Sequence, residues 1–345
     1  MKSAQKIHWT DERHAGWLDA MEMRRLGRAG IEVSPVGFGC WAIGGPFSNP
    51  AGEPLGWGVV DDDESVRAIR RAVELGVTFF DTADVYGAGH SERVLGKALE
   101  GIRDQVVIAT KWGNTFDEST RVMHHQDSSP EYVHKAVRAS LERLGTDYLD
   151  LYQLHFDTTD EIALPLREAC EELVREGLIR SYAWSTDTVH SAEFFAQGDH
   201  CAAVQHEASV LHDAPDFFAL CERENLASIN RTPLGMGILG RRDANRPATG
   251  ADIRTLPPSW LRYFDDGGVP APEWWEKVSA IRDVLQSDGR TLAQGALAWL
   301  WARSPRTVPI PGFRTVAQAE ENAGAMAFGP LGSDQLAEIA TLIEN

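Results

Sequence analysis

The chain is poor in cysteine. Four residues in 345, at positions 40, 170, 201 and 221, form no C-x-x-C pair and stand at no metal-site spacing from a histidine, which argues against a disulfide framework or a zinc site. Reduced thiols, and with them a cytoplasmic location, are the expectation. No apolar stretch approaches the ~20 residues that cross a bilayer, so no membrane association is expected. Residues 1–20 are polar and mixed in charge, without the apolar centre of a secretory leader. Basic side chains are outnumbered, 33 against 51 acidic ones, for a formal charge of −18. That balance repels a phosphate backbone and speaks against nucleic acid as a partner. His124-His125 has no third ligand nearby in sequence, and no metal is expected.

What is present is an alternation of two periods. A short hairpin around 24–33, with Gly27 and Gly30 at its turn, precedes strand-like runs near 36–43, 77–81, 105–111, 149–155, 179–185, 201–207, 226–230 and 307–310. Runs with apolar residues at helical spacing follow them, near 63–75, 91–99, 130–144, 162–176, 188–196, 215–224, 291–303 and 315–327. Strands such as Val106-Val107-Ile108-Ala109 and Ala202-Ala203-Val204 are apolar on consecutive positions, as in a parallel sheet covered on both faces. Nothing between them reads as an interdomain linker. The pattern predicts an α/β chain: an extension over 1–22, then one (β/α)8 TIM barrel over 23–345. The barrel carries an N-terminal hairpin, long βα loops at 112–129 and 234–271, and extra helices near 272–286 and 333–343. Its length fits, since such a barrel needs about 250 residues.

In a barrel of this kind chemistry collects where the strands' C-terminal ends meet the following loops. Asp81 ends the second strand, Lys111 the third and His155 the fourth, and Tyr86 follows Asp81 on the glycine-rich loop Tyr86-Gly87-Ala88-Gly89. A phenol with a pKa of about 10 is a poor proton donor unless a nearby ammonium stabilises the phenolate. Lys111 is placed to do so, with Asp81 pairing the buried ammonium. His155 is placed to share with Tyr86 the oxygen of a carbonyl group. Trp41, Trp57 and Trp112 fall near the predicted mouth, where aromatic walls of a pocket are expected. The acidic run Asp61-Asp62-Asp63-Glu64 reads as charge complementing a helix N-terminus. Near the end of the chain, Arg314 stands at the start of a helix, where a guanidinium and free N–H groups bind phosphate. Gln318 and Asn322 lie one turn apart on one face of that helix.

These residues carry a resemblance. Gly37-Phe38-Gly39-Cys40-Trp41, the stretch Asp81 to Glu92 and the segment Ile310 to Asn322 resemble the aldo-keto reductase superfamily over about residues 24–327, with Asp81, Tyr86, Lys111 and His155 matching its tetrad. The resemblance implies an NADP(H)-dependent aldehyde or ketone reductase, with Tyr86 giving the proton. The substrate is expected to be a small sugar-like or aromatic carbonyl compound, or the corresponding alcohol. The resemblance further assigns cofactor contacts to Gly39, Trp41, Ser185, Thr186, Gln205, Pro233, Leu234, Gly235, Gly237, Gly312, Arg314, Gln318, Glu321 and Asn322. Ser185 and Gln205 would face the nicotinamide carboxamide, Arg314 the adenosine 2′-phosphate, and Gln318 and Asn322 the adenine. The chain departs from the pattern in three places. Thr186 replaces an asparagine, Ala208 an aromatic, and Asn230-Arg231-Thr232 the usual aromatic-serine. Two other readings stay open: a nucleotide-loaded regulatory subunit resembling the potassium-channel β subunits, and a redox-neutral use of the bound cofactor. A homo-oligomer is compatible with each.

Overall fold

Parallel strands buried on both faces need helices on one side and a filled lumen on the other, and the chain supplies both. The computed structural model describes residues 22–240, 248 and 250–344. The expected extension, except Glu22, therefore lies outside the described residues, as does part of the long 234–271 connection. The hairpin pairs β1 (Arg24–Leu26) with β2 (Ile31–Val33). Eight parallel strands follow: β3 (Gly37–Gly39), β4 (Phe79–Asp81), β5 (Val107–Trp112), β8 (Leu149–Leu154), β9 (Ile179–Ser185), β10 (Cys201–Glu207), β11 (Ala227–Arg231) and β12 (Thr307–Pro309). The ring closes where the Gly39 N–H donates to the Pro311 carbonyl at 3.0 Å. A side chain at that seam would not fit: a Cβ on Gly39 would lie 2.8 Å from the Ile310 carbonyl oxygen.

The surrounding helices are α1 (Asp62–Glu74), α2 (His90–Leu99), α3 (Pro130–Leu144), α4 (Asp160–Glu176), α5 (Val189–Phe195), α6 (Pro215–Glu224), α7 (Pro272–Leu285), α8 (Leu292–Arg303), α9 (Val316–Gly324) and α10 (Ser333–Glu344). Their starts follow local chemistry. The Asp61 carboxylate accepts from Glu64 N–H and caps α1, so the acidic run is a helix start. Thr291 and Gln294 form a reciprocal capping box at α8. Among the described residues no helix is long and apolar enough to cross a membrane.

The lumen is filled by Phe79, Val107, Ala109, Leu151, Ala183, Ala203, Ala227, Ile229 and Val308. Leu26 and Val33 join this cluster, so the hairpin plugs the lower end of the barrel. The upper end, at the strands' C-termini, is left for chemistry.

Two elements differ from expectation. The first strand covers only Gly37–Gly39, because the chain turns at once into a 3-10 turn, Trp41–Ile43, that swings Trp41 over the barrel mouth. The 112–129 connection is not irregular: β6 (Asn114–Asp117) pairs with β7 (Val122–Gln126). Its turn is held by the Asp117 carboxylate, which accepts from Ser119 Oγ, Thr120 N–H and Thr120 Oγ1. That hairpin is also stitched to the loop after β3, with Ser48 N–H donating to Arg121 O at 3.1 Å and Met123 N–H to Ser48 O at 2.8 Å.

Candidate active site

Strand register brings the four tetrad residues together. Asp81 of β4 pairs with Ala109, and Lys111, two residues on, pairs with Gln153 of β8. Lys111, with no exposed surface, donates to Asp81 Oδ1 at 2.5 Å, to Thr82 O at 2.8 Å and to Tyr86 Oη at 3.3 Å. The other Asp81 oxygen accepts from Gln153 Nε2 and Gln205 Nε2, both at 2.8 Å. The carboxylate is thus fully used, and the ammonium is aimed at the phenol. His155 meets Tyr86 edge-on, with ring centroids 5.8 Å apart. Burial drives the His155 imidazole well below its ordinary value, with the Lys111 charge adding to the effect, so the ring is neutral. Burial also pulls on Lys111, but Asp81 and Tyr86 outweigh it and its pKa lies above the usual 10.5.

One expectation is corrected here. Lys111 does favour the phenolate, yet burial of Tyr86 is the larger effect and raises its pKa above 10. The hydroxyl is held protonated, ready to give a proton rather than to rest as phenolate.

A buried ion pair that no local motif announces braces the loop that carries Tyr86. Glu92, fully buried, accepts from Thr110 Oγ1 and from Arg143 Nε, each at 2.6 Å. Arg143 also reaches Glu118 at the β6–β7 turn, at 3.1 Å. The signal available was a charged pair at apolar spacing on α2 and α3.

Above the tetrad opens a cavity of about 1320 Å³ that runs to the start of α9. Asp81, Tyr86 and His155 border it, whereas Lys111 lies behind them. So do Gly39, Trp41, Ser185, Thr186, Gln205, Pro233, Leu234, Gly237, Gly312, Arg314, Gln318, Glu321 and Asn322; Gly235 does not. Gly235-Met236-Gly237-Ile238-Leu239-Gly240 spells a G-x-G-x-x-G, but it forms 3-10 turns with Met236 and Gly237 left-handed instead of the first turn of an α-helix. Gln205, assigned to the carboxamide, spends its amide nitrogen on Asp81 and on Gln153 at 3.1 Å, which leaves Oε1 for a ligand. Thr186 Oγ1 donates to Asp157 at 2.6 Å. The Arg314 guanidinium donates to the Trp57 and Val59 carbonyls, drawing the loop after β3 towards α9. Gln318 Oε1 accepts from Arg314 N–H at 2.8 Å.

The aromatic wall is only partly as expected. Trp41 stacks on Tyr86 with centroids 5.9 Å apart and packs against Trp57 at 5.6 Å. Trp112 instead points into the core against Tyr152 and Phe156. Its place is taken by Trp260, 6.4 Å from Trp41 and 53% exposed, from the long loop before α7. Among the described residues, no cluster of three or more metal-ligating side chains occurs.

A (β/α)8 barrel with this constellation at its mouth defines a class of nicotinamide-dependent carbonyl-reducing enzymes, and comparison with known proteins makes the family explicit. The Aldo/keto reductase family matches residues 35–344, and the chain belongs to it. It is 28% identical to L-galactose dehydrogenase of Arabidopsis thaliana over 94% of this chain and 95% of that protein. It is 29% identical to the aldo-keto reductase AKR11C1 from Bacillus halodurans in its holo form, with a TM-score of 0.74 over 93% and 96% of the two chains. An aldo-keto reductase from Klebsiella pneumoniae, solved in complex with NADP and acetate, is 26% identical with a TM-score of 0.65 over 93% and 95%. The chain is an NADP-dependent oxidoreductase with a TIM-barrel fold. The cavity fits that cofactor: its lining reaches from Tyr86 to a helix start carrying Arg314 and includes the glycine-rich turn after β11.

Proposed function

We propose that this protein reduces a sugar-like or aromatic aldehyde or ketone, with Tyr86 as proton donor. The observation that carries the reading is the Lys111 Nζ to Tyr86 Oη contact of 3.3 Å, backed by Asp81 and opening on the cavity. Bound NADPH supplies the hydride. As the carbonyl oxygen gains negative charge, Tyr86 gives it a proton, and the Lys111 ammonium stabilises the phenolate left behind. His155, neutral and at the same edge, polarises that oxygen through a hydrogen bond. Arg314 and the start of α9 hold the 2′-phosphate, Ser185, Thr186 and Gln205 the carboxamide, and Gln318, Glu321 and Asn322 the adenosine. Trp41, Trp57 and Trp260 line the cavity with rings against which a sugar or aromatic group packs, and the Asp157 carboxylate borders the same cavity as an acceptor for hydroxyls. Four buried, unpaired thiols suit a cytoplasmic setting.

The test is single-turnover reduction of a panel of sugar and aromatic aldehydes by enzyme preloaded with NADPH, beside Tyr86→Phe. The variant should lose roughly 100-fold or more in rate while binding NADPH as before. An unchanged rate would remove Tyr86 from the reaction, and a wild type that binds nucleotide but reduces nothing would return the chain to the regulatory reading.

A further inference from the structure

Arg231 has no part in the account so far. It stands at the C-terminal end of β11, opposite Glu207 of β10 in the register. It borders the cavity together with Thr186 and Gln205, both read as seating the nicotinamide carboxamide. The tetrad cation, Lys111, is buried behind the wall and matched by Asp81, and of the other arginines lining the cavity Arg254 is paired with Asp252 and Arg314 stands at the start of α9. Arg231 is therefore a cation at the cavity surface on the nicotinamide side, and its charge acts on both His155 and Tyr86. Its counter-ion is Asp187, from the loop after β9. Asp187 is in turn fixed to the sheet, its other oxygen accepting from the Glu207 N–H at 2.8 Å. The Glu207 carboxylate is engaged elsewhere, by Arg262 and by the Tyr263 hydroxyl, each at 2.6 Å.

A nicotinamide ring carries a positive charge when oxidised and none when reduced. A guanidinium beside the ring therefore penalises the oxidised form alone, and a carboxylate favours it. We propose that the Arg231–Asp187 pair sets the redox preference of the nucleotide seat: Arg231 biases it towards the reduced cofactor, and Asp187 limits that bias. The inference rests on the cofactor placement given under Proposed function. It goes beyond that placement in assigning opposite signs to two neighbouring residues.

The experiment is calorimetric measurement of Kd for NADP+ and for NADPH with the full chain, as wild type, Arg231→Gln, Arg231→Lys and Asp187→Asn. Arg231→Gln should lower the ratio Kd(NADP+)/Kd(NADPH) by roughly tenfold, Arg231→Lys should hold it within about threefold, and Asp187→Asn should raise it. An unchanged ratio in Arg231→Gln overturns the inference. So does an equal weakening of both nucleotides, which marks a merely structural role, or a shift of Asp187→Asn in the same direction as Arg231→Gln. If Arg231→Gln fails to fold, Arg231→Lys and Asp187→Asn still decide the sign. A wild type that binds neither nucleotide, or an Arg314→Gln variant that does not weaken NADPH relative to NADH, shows instead that the seat itself is misplaced, and this inference falls with it.

Discussion

Asp81→Asn is the substitution whose consequences can be worked furthest. The side chain keeps its shape but loses its charge, and its two ends no longer both accept. If the remaining oxygen faces Lys111, the new amide points at Gln153 Nε2 and Gln205 Nε2, each now 2.8 Å from Asp81. Both glutamines must turn over, and Gln205 then loses its bond to Gln153 Oε1. Lys111 meanwhile has no exposed surface and no other carboxylate partner shown within the site. Leaving one member of a buried pair uncompensated costs about 3–5 kcal/mol, which for a chain this long lowers Tm by roughly 4–7 °C. The pH dependence has a definite sign. The folded-state pKa of Lys111 lies above its unfolded value of 10.5, so the stability it contributes is fully present below about pH 10.5 and is lost as pH rises through the folded pKa. The deficit of the variant should therefore be full at pH 7 and shrink only above about pH 10.5. Urea unfolding at pH 7, 9 and 10.8 measures it. A variant within about 1 kcal/mol of wild type at pH 7 would refute the claim that Asp81 is what keeps Lys111 charged.

Three further outcomes are expected. Because burial raises the Tyr86 phenol above 10, with Lys111 only partly offsetting it, the single-turnover reduction rate should stay flat from pH 6 to about 9.5; a descending limb centred below pH 9 would contradict a protonated donor. His206, stacked on Phe217 and pushed down to about 4 by burial, takes up its proton on unfolding between pH 6.5 and 4, so stability falls as pH drops through that window. His206→Gln should flatten the loss between pH 6.5 and 4.5 by about 2–3 kcal/mol in urea titrations, and parallel curves would rule this out. Gly87→Ala would put a Cβ 1.8 Å from the Gly44 carbonyl oxygen at φ +63, whereas Gly101→Ala, at φ +81, meets nothing within 4 Å. The first should abolish activity and cost several kcal/mol, the second about 1 kcal/mol, and equal costs by thermal unfolding would show that the loop around Tyr86 yields.

Much of this architecture was legible because period and position coincide in a parallel barrel. Strands such as Val107-Ile108-Ala109 announce burial on both faces, and the four tetrad residues stand at or just beyond strand ends, where a barrel gathers its chemistry. Gln153 was missed although it carries a signal: it is a polar residue on the fully buried strand Leu149–Leu154, two positions before His155. Its role depends on Asp81, 72 residues away, and no local pattern reports such a partnership. The β6–β7 hairpin was missed for a similar reason. Its strands are four and five residues long and mostly polar, with one apolar cross-strand pair, Phe116 and Met123, and the turn between them is set by Asp117, so no run of apolar alternation announces it. The protonation of Tyr86 needed the balance of two opposed effects, burial against the Lys111 charge, and only coordinates weigh them. Trp112 turns into the core rather than the mouth because the direction in which a ring leaves a strand end is set by the neighbours it meets, here Tyr152 and Phe156.

The stitching of the loop after β3 to the β6–β7 hairpin has a consequence for anyone redesigning the entrance. Ser48 contributes both its N–H and its carbonyl to that seam, bonding on either side of Val122. Trp41 and Trp57 flank Ser48 in sequence, and Met123 sits at the seam itself, so the aromatic wall and the facing rim move as one piece. A selectivity graft that transplants either loop alone would tear this join, and the two segments have to be exchanged together.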